Sequence, residues 1–525
     1  MFMADTPRLR TVHALLRHRA ETEGDREFLV FGEQRFTYRD LYTLSRRAAH
    51  GLAGLGIAKG DAVAIMMGNR PEFLALWFGA SMLGAVEVPV NTAHRGDLLA
   101  HMLRLADCPV VVADAEFLPA LAEVADRLPA LRAVVVAGAP AAVPGKEVHA
   151  LAEVMANAGN PPTVDVTWSD PYAIMFTSGT TGPSKGAVMP QNYALRMGEY
   201  IAEATGYGRD DCLYNALPLF HGNAQVLSTL PALLSGARMV LAERFSASRF
   251  WDDVRAHGCT EFNYIGTILS VLMKAEPSGR DRDHPLRLMM GAGAGPGLFE
   301  AFEARFGVRL IEGYGMSEIG LPFMSTLDRR KAGSCGVANP HYEVRLVDDD
   351  GGDVTAPDTP GELLIRPREP YCMMLEYRAM PEKTVEAWRD LWFHTGDVLS
   401  RDGDGFWRFV DRKKDALRRR GENISSFEVE RALAAHPHVA EAAVIPIPSE
   451  LGEDDVMACV VPAAGAALDP ADLIAHCDRE MAAFMVPRYV RVMAALPKTP
   501  TARVEKYRLK SEGVTADTWD REVAS

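Results

Sequence analysis

A chain of 525 residues is longer than one hydrophobic core supports, since single cores stop growing near about 250–300 residues, so at least two domains are expected. With 48% hydrophobic and 24% charged residues the composition excludes both a disordered and a fibrous chain. Its 56 basic residues against 70 acidic ones, a net charge of −14, exclude a broad nucleic-acid-binding surface and leave room for a basic pocket that takes one small polyanion.

From Thr11 to about Pro161, Ala/Leu/Arg-rich helical patterns alternate with β-branched runs at 62–66, 85–90 and 110–113, which predicts a parallel sheet covered by helices. The alternation continues through 238–241, 286–290 and 308–311, with an amphipathic helix before the last run that places Leu298, Phe302 and Phe306 on one face. After about Ala332 the texture becomes turn-rich, and strand-like pieces at 343–347 and 361–366 predict a β-rich subdomain. Beyond the charge-dense Asp411-Arg-Lys-Lys-Asp, helices are expected at 426–436 and 470–481 and strands at 440–447 and 456–461. The expected fold class is therefore α/β: residues 1–411 form a large domain of helix-covered sheets plus the β-rich subdomain, and residues 412–525 form a small α+β domain.

Seven widely spaced cysteines without a C-x-x-C pair fit a reducing compartment and remove zinc ligation and a disulfide scaffold. The first residues carry no apolar leader core, and no stretch of about 18 apolar residues occurs, so a cytoplasmic protein without a membrane span is expected.

Three loops carry chemistry. Thr177-Ser-Gly-Thr-Thr-Gly-Pro-Ser-Lys-Gly follows the strand-like Tyr172-Ala-Ile-Met-Phe and joins three glycines to hydroxyls and Lys185. Glycines let backbone N–H groups turn toward an anion, hydroxyls add donors and the lysine adds charge, so this loop reads as a phosphate cradle, though not in Walker A order. Gly291-Ala-Gly-Ala-Gly-Pro-Gly also follows a strand and precedes a helix, but it lacks the G-x-G-x-x-G spacing and supports no dinucleotide fold. Glu312-Gly-Tyr-Gly-Met-Ser-Glu combines an aromatic that can stack on a base, a hydroxyl for a phosphate and a carboxylate that can hold Mg2+.

Taken with Leu217-Pro-Leu-Phe-His-Gly, His394-Thr-Gly-Asp, Asp411-Arg-Lys-Lys-Asp, Gly421-Glu-Asn-Ile-Ser and Glu428-Val-Glu, these loops resemble, in order and spacing, the adenylate-forming superfamily of acyl-CoA synthetases, luciferases and nonribosomal adenylation domains. The resemblance runs from Thr37-Tyr-Arg-Asp-Leu to Lys498-Thr-Pro-Thr-Ala-Arg-Val-Glu-Lys. Gly421-Glu-Asn-Ile-Ser and Phe484-Met-Val-Pro-Arg-Tyr make the chain most like bacterial acyl-CoA ligases, the carnitine/crotonobetaine type among them.

The resemblance implies ATP, Mg2+ and coenzyme A as cofactor and co-substrates, and a small-molecule carboxylic acid as the group activated. It implies ATP binding by Thr177, Ser178, Gly179, Thr180, Thr181, Gly182, Gly291, Ala292, Gly293, Tyr314, Gly315, Ser317, Asp397 and Arg412, and metal binding by Thr177 and Glu318. Lys185 and Glu318 would offset the repulsion between a carboxylate and a triphosphate. His221, Tyr264, Gly291, Gly293 and Met316 would line the acid pocket, with Tyr264 equally readable as core. Lys414 is the expected hinge of a mobile C-terminal domain, and Gly421 and Glu422 border the thiol tunnel. No charged residue near Tyr264 or Gly291 announces a counter-ion for a zwitterionic acid.

One departure matters. Where similar proteins carry Gly-Lys before Val/Ile-x-Lys, this chain reads Ala502-Arg503-Val-Glu-Lys506. Arg503 keeps the charge with a different geometry, and Lys506 reaches the same place only if the backbone curls. A non-CoA acceptor, either a carrier-protein thiol or an amine diazotised through activated nitrite, and loss of catalysis stand beside the ligase reading. A homodimer is compatible with the sequence, which leaves the oligomeric state open.

Overall fold

The first β-branched runs expected to be strands are buried along nearly their whole length, because they lie inside a parallel sheet. Ala62–Met66 and Ala133–Ala137 are buried at every position, as parallel strands covered on both sides must be. The computed structural model describes residues 10–156, 159–177, 184–294, 296–348, 350–412, 416–449, 452–497, 504 and 506–523. It is a mixed α/β fold in two compact units, Met1–Thr92 with Leu103–Met175 and Gly186–Asp411, and Ala93–Met102 with Phe176–Lys185 and Arg412–Ser525.

Two large sheets dominate the first unit. One has eight strands, in the order Glu376–Tyr377, Lys185–Pro190, Pro171–Thr177, Val86–Pro89, Ala62–Met66, Val110–Asp114, Ala133–Ala137 and Glu147–Ala150. The other has nine and carries the parallel run Arg309–Met316, Leu288–Gly291, Glu261–Asn263, Cys212–Asn215, Arg238–Leu241 and Glu27–Phe31. The helix Pro71–Met82 is apolar all round and buried from Phe73 to Ser81, as a helix surrounded by protein should be. The β-rich stretch forms a four-stranded antiparallel sheet from Tyr342–Val347, Gly361–Pro367, Phe393–Arg401 and Trp407–Arg412.

The second unit holds a hairpin, Ala416–Arg419 with Glu422–Ser425, and a four-stranded sheet, Val439–Pro448, Asp454–Pro462, Tyr489–Val492 and Trp519–Asp520. The helices Ser426–Ala434 and Pro470–Glu480 pack through Val429, Leu433, Leu473 and Cys477, and Asp469 caps the second by accepting from Ala471 N–H. All seven cysteines are free. Among the described residues no helix is long and apolar enough to cross a membrane.

The helix Pro296–Phe306 turns the expected face to the core: Phe302 and Phe306 are buried, Leu298 is half-buried against the same core, and Phe299 joins them. Phe302 has no exposed surface and its ring lies 4.7 Å from that of Phe306. Phe302→Ala is expected to destabilise the first unit by about 3–5 kcal/mol, seen as a lower urea midpoint at unchanged slope.

Candidate active site

The strand Arg309–Met316 turns back on Gly320–Met324 through Ser317, Glu318 and Ile319, so that a hydroxyl and a carboxylate stand at the tip of a tight antiparallel hairpin. Ile319 N–H closes the turn on the Met316 carbonyl at 3.1 Å. The tip is held from outside as well: Met374 N–H donates to the Glu318 carbonyl at 2.8 Å, and the Tyr377 hydroxyl donates to Glu318 Oε1 at 2.9 Å. Glu318 is only 2% exposed. The hydroxyl gives this buried carboxyl a hydrogen bond without bringing an opposite charge against it.

Earlier in the same strand the Tyr314 hydroxyl donates to Asp397 Oδ2 at 2.6 Å. The ring lies parallel to Phe409, with centroids 6.3 Å apart, and tilted against Phe323 at 6.0 Å. Asp397 is buried in the strand Phe393–Arg401, and its N–H is turned onto Thr395 Oγ1 at 3.1 Å. Two motifs expected to serve one nucleotide are thus joined directly, aromatic to carboxylate. Gly315 and Met316 continue the strand between them.

The glycine loop after Leu288–Gly291 lies against Tyr264. A Cβ at Gly291 would fall 2.3 Å from the Tyr264 carbonyl oxygen and 2.7 Å from its ring, so only glycine permits this approach. Tyr264 has no exposed surface and belongs to the core. Ala292 is half-buried and Gly293 is exposed. The sequence near Tyr264 and Gly291 announces no counter-ion, and here the structure brings a carboxyl: buried Glu312 accepts from Ala294 N–H at 2.7 Å, with the Tyr264 hydroxyl nearby but outside hydrogen-bond geometry. Burial pushes Glu312 up to about 7, against the Ala294 and Gly293 N–H groups that favour its charged form. Sequence reading missed it because 21 positions separate Glu312 from Gly291, and only strand pairing, Gly291 opposite Glu312, brings them together.

His221 is half-buried in the segment that leaves the strand Cys212–Asn215, its ring edge-on to Phe220 at 4.8 Å. Its N–H donates to the Pro218 carbonyl at 3.0 Å, and its own carbonyl accepts from Ala224 N–H at 3.1 Å. A π-helical run, Asn223–Thr229, follows.

In the second unit Thr177 ends one strand and Lys185 begins another. Ser184 donates through its N–H to Glu428 Oε1 at 2.8 Å and through its hydroxyl to the same oxygen, and burial raises the Glu428 carboxyl. Gly421 forms the hairpin tip with Arg420, both at positive φ (79° and 54°), and its N–H donates to Glu453 Oε2 at 2.9 Å. Glu422 opens the returning strand. Lys506 Nζ pairs with Glu430 Oε1 at 2.6 Å and donates to Ser426 Oγ at 2.9 Å. Arg412 closes the strand Trp407–Arg412, and its side chain is not among those described. Ser178, Gly179, Thr180, Thr181, Gly182, Lys414 and Arg503 lie outside the described residues.

The AMP-binding enzyme pattern matches residues 16–378, and the AMP-binding enzyme C-terminal domain matches residues 428–503. The chain belongs to the AMP-binding enzyme family. This member is 32% identical over 503 residues to the crotonobetaine/carnitine–CoA ligase of Salmonella paratyphi A, across 94% of this chain and 97% of the relative. Its structure matches a fatty acyl CoA synthetase of Mycobacterium tuberculosis at a TM-score of 0.70 and 27% identity, over 96% of this chain and 98% of that one. An amide bond synthetase from Marinactinospora thermotolerans matches at 0.84 and 24% identity, over 96% and 99%, a likeness of fold alone. As an AMP-binding enzyme with CoA ligases as relatives, the chain is an AMP-forming acid–CoA ligase that uses ATP and coenzyme A.

Glu312 gives this AMP-binding enzyme a pH signature. Its native pKa of about 7 lies above the ordinary carboxyl value, so its contribution to stability is full below about 4.5 and is lost as pH rises through about 7. Glu312→Gln keeps an acceptor for Ala294 N–H without the charge. Its stability relative to the parent is expected to rise from pH 5 to about pH 7.5 and then level off, by an amount on the order of 3 kcal/mol, read from melting temperatures across pH 5 to 8.5. A constant difference across that range refutes the assignment.

Proposed function

We propose that the enzyme activates a small organic acid, with the betaine acids of its Salmonella relative's name as first candidates, and that the residues paired above hold ATP for that step. In the first half-reaction a carboxylate oxygen bonds to the α-phosphorus and pyrophosphate leaves. In the second the CoA sulfur bonds to the acyl carbon, losing its proton, and AMP leaves. A carboxylate is ionised at neutral pH, so the first half needs no general base. It needs two anions held together. The observation that carries the reading is the Tyr314–Asp397 bond beside the Ser317–Glu318 tip.

In this reading Tyr314 covers the adenine, Asp397 accepts from the ribose hydroxyls with Arg412 near the same sugar, and Ser317 donates to the α-phosphate. Lys185 and the N–H groups of the 177–186 loop take the remaining phosphate charge. A metal fits Glu318: the carboxylate is 2% exposed and receives a neutral hydroxyl, and magnesium binds through one or two carboxylates plus substrate phosphates rather than an all-protein cage. Thr177 and Glu318 are the residues that would hold it. When bound, the ion would supply charge neutralisation at the phosphates. Lys414 is the pivot assigned to domain alternation, and Gly421 with Glu422 borders the CoA approach. The demand for ATP and coenzyme A supports a cytoplasmic setting.

Arg503 is the cation assigned to the adenylation transition state, because Lys506 is engaged by Glu430 and Ser426. Arg503→Ala is expected to slow acid-dependent pyrophosphate release by roughly 10²–10³-fold while leaving CoA transfer from preformed acyl-adenylate intact. Equal rates in parent and variant refute the role. Asp397→Ala is expected to raise the KM for ATP at least tenfold with little change in the KM for the acid, measured by steady-state kinetics. The reading as a whole is tested by pyrophosphate release and CoA consumption assayed in parallel over crotonobetaine, carnitine and uncharged acids of the same length. Both signals are expected with a shared acid. Turnover confined to the uncharged acids refutes the betaine assignment.

A further inference from the structure

We infer that Glu87, acting through Gln225, is a positioning residue that fixes the segment carrying His221 at the reacting end of the acid. The inference rests on the proposed acid activation and on the expectation that His221 lines its acid pocket.

The segment 217–222 leaves the carboxyl end of a parallel strand, where open α/β sheets bind ligands. It is neither helix nor strand, so its backbone groups need other partners. Buried side chains supply them. Asn69 Nδ2 donates to the Leu217 carbonyl at 2.9 Å, and Asn69 Oδ1 accepts from Leu219 N–H at 2.8 Å. Gln225 Nε2 donates to the Leu219 carbonyl at 2.8 Å. Both polar groups of Leu219, two residues before His221, are therefore held by side-chain amides.

The direction of the Gln225 amide is the weak point, because an amide can turn over and present its oxygen instead. Glu87 removes that freedom. Its Oε1 accepts from Gln225 Nε2 at 2.8 Å, so one amide hydrogen faces Glu87 and the other faces Leu219. Turned over, Gln225 would set its oxygen against the Leu219 carbonyl oxygen and leave that buried carbonyl without the donor it has now.

This accounts for a residue that packing does not explain. Glu87 lies in the strand Val86–Pro89, between Ala62–Met66 and Pro171–Thr177 in the middle of the eight-stranded sheet, with no exposed surface. An apolar side chain there would bury at no polar cost, whereas the carboxyl is pushed well above its ordinary range by desolvation. Among the described residues its Oε2 has no hydrogen-bond partner.

The far side of the segment is fixed in the same manner. Gln225 lies in the π-helical run Asn223–Thr229, where carbonyls miss their α-helical partners. Asn263 Nδ2 donates to the Leu227 carbonyl and to Ser228 Oγ, both at 2.8 Å. Three buried amides thus hold the segment, Asn69 and Gln225 on the side before His221 and Asn263 beyond it, and of these Gln225 is the one hydrogen-bonded to a carboxyl.

The test compares Glu87→Leu, Glu87→Gln, Gln225→Leu, His221→Ala and the Glu87→Leu/His221→Ala pair in the full-length enzyme. Acid-dependent pyrophosphate release, the KM values for acid and ATP, and melting temperature are read for each. Glu87→Leu is expected to lower kcat for adenylation about 10–100-fold at unchanged KM for ATP, since misplacements near 1 Å cost rates of that order. Glu87→Gln, which keeps the acceptor, restores kcat to within about threefold. The double variant is no slower than His221→Ala alone. Should Glu87→Leu fail to fold, Gln225→Leu carries the same expectation from the other side of the bond. A folded Glu87→Leu or Gln225→Leu with parental kcat overturns the inference, as does a Glu87→Gln as slow as Glu87→Leu. A His221→Ala enzyme with parental rates overturns the His221 reading instead, independently of the Glu87 result.

Discussion

Burying a carboxyl group is expensive, and around the candidate site the first unit does it repeatedly. Glu87, Glu312, Glu318 and Asp397 are each 8% exposed or less and each takes a hydrogen bond from a neutral donor: Gln225, the Ala294 N–H, Tyr377 and Tyr314 in turn. Each donor comes from a different element, so satisfying the acids ties together the hairpin, the glycine loop, the His221 segment and the antiparallel sheet. Breaking one bond would strand a polar group where water cannot reach it. The geometry of the site is in this sense the set of solutions to four local solvation problems.

Those solutions suit an enzyme whose first task is to bring two anions together. The donors named here are uncharged, so these bonds orient the acids without adding an opposite charge. A carboxylate fixed by a hydroxyl can still attract a cation or accept from a sugar. The fold contributes direction: the parallel strands Leu288–Gly291 and Cys212–Asn215 both deliver their following loops from the carboxyl end of one sheet. The hairpin Arg309–Met316 with Gly320–Met324 extends that sheet antiparallel and carries Glu318 at its turn.

Most elements were legible in the sequence because their patterns are local. The run Arg238–Leu241 has the expected bounds, and the strands near 440–447 and 456–461 differ by a few residues at the ends. The loop motifs were legible as chemistry for the same reason, each being a short string. What could not be read was partnership across the chain. Glu312 looked like the start of a nucleotide motif, and its contact with the Gly291 loop exists only through strand register. Glu87 sat unnoticed inside the apolar run 85–90, although a charge amid β-branched residues marks a buried acid that must have a partner. Asn263 between Phe262 and Tyr264 sends the same signal, and Tyr377 and Phe409 send none.

The π-helical run also has a consequence for how such a chain can change over evolutionary time. The i→i+5 backbone ladder of a π-helix spends about one more residue per turn than an α-helix spanning the same distance. Losing one residue between Asn223 and Thr229 would let the run relax to α-helix. That would rotate everything upstream relative to the buried helix Leu230–Ser235 and turn His221 away from its present direction. Substitutions here can be gradual, but a change of length is all or nothing. The number of residues in this stretch is therefore as much a part of the site as their identities.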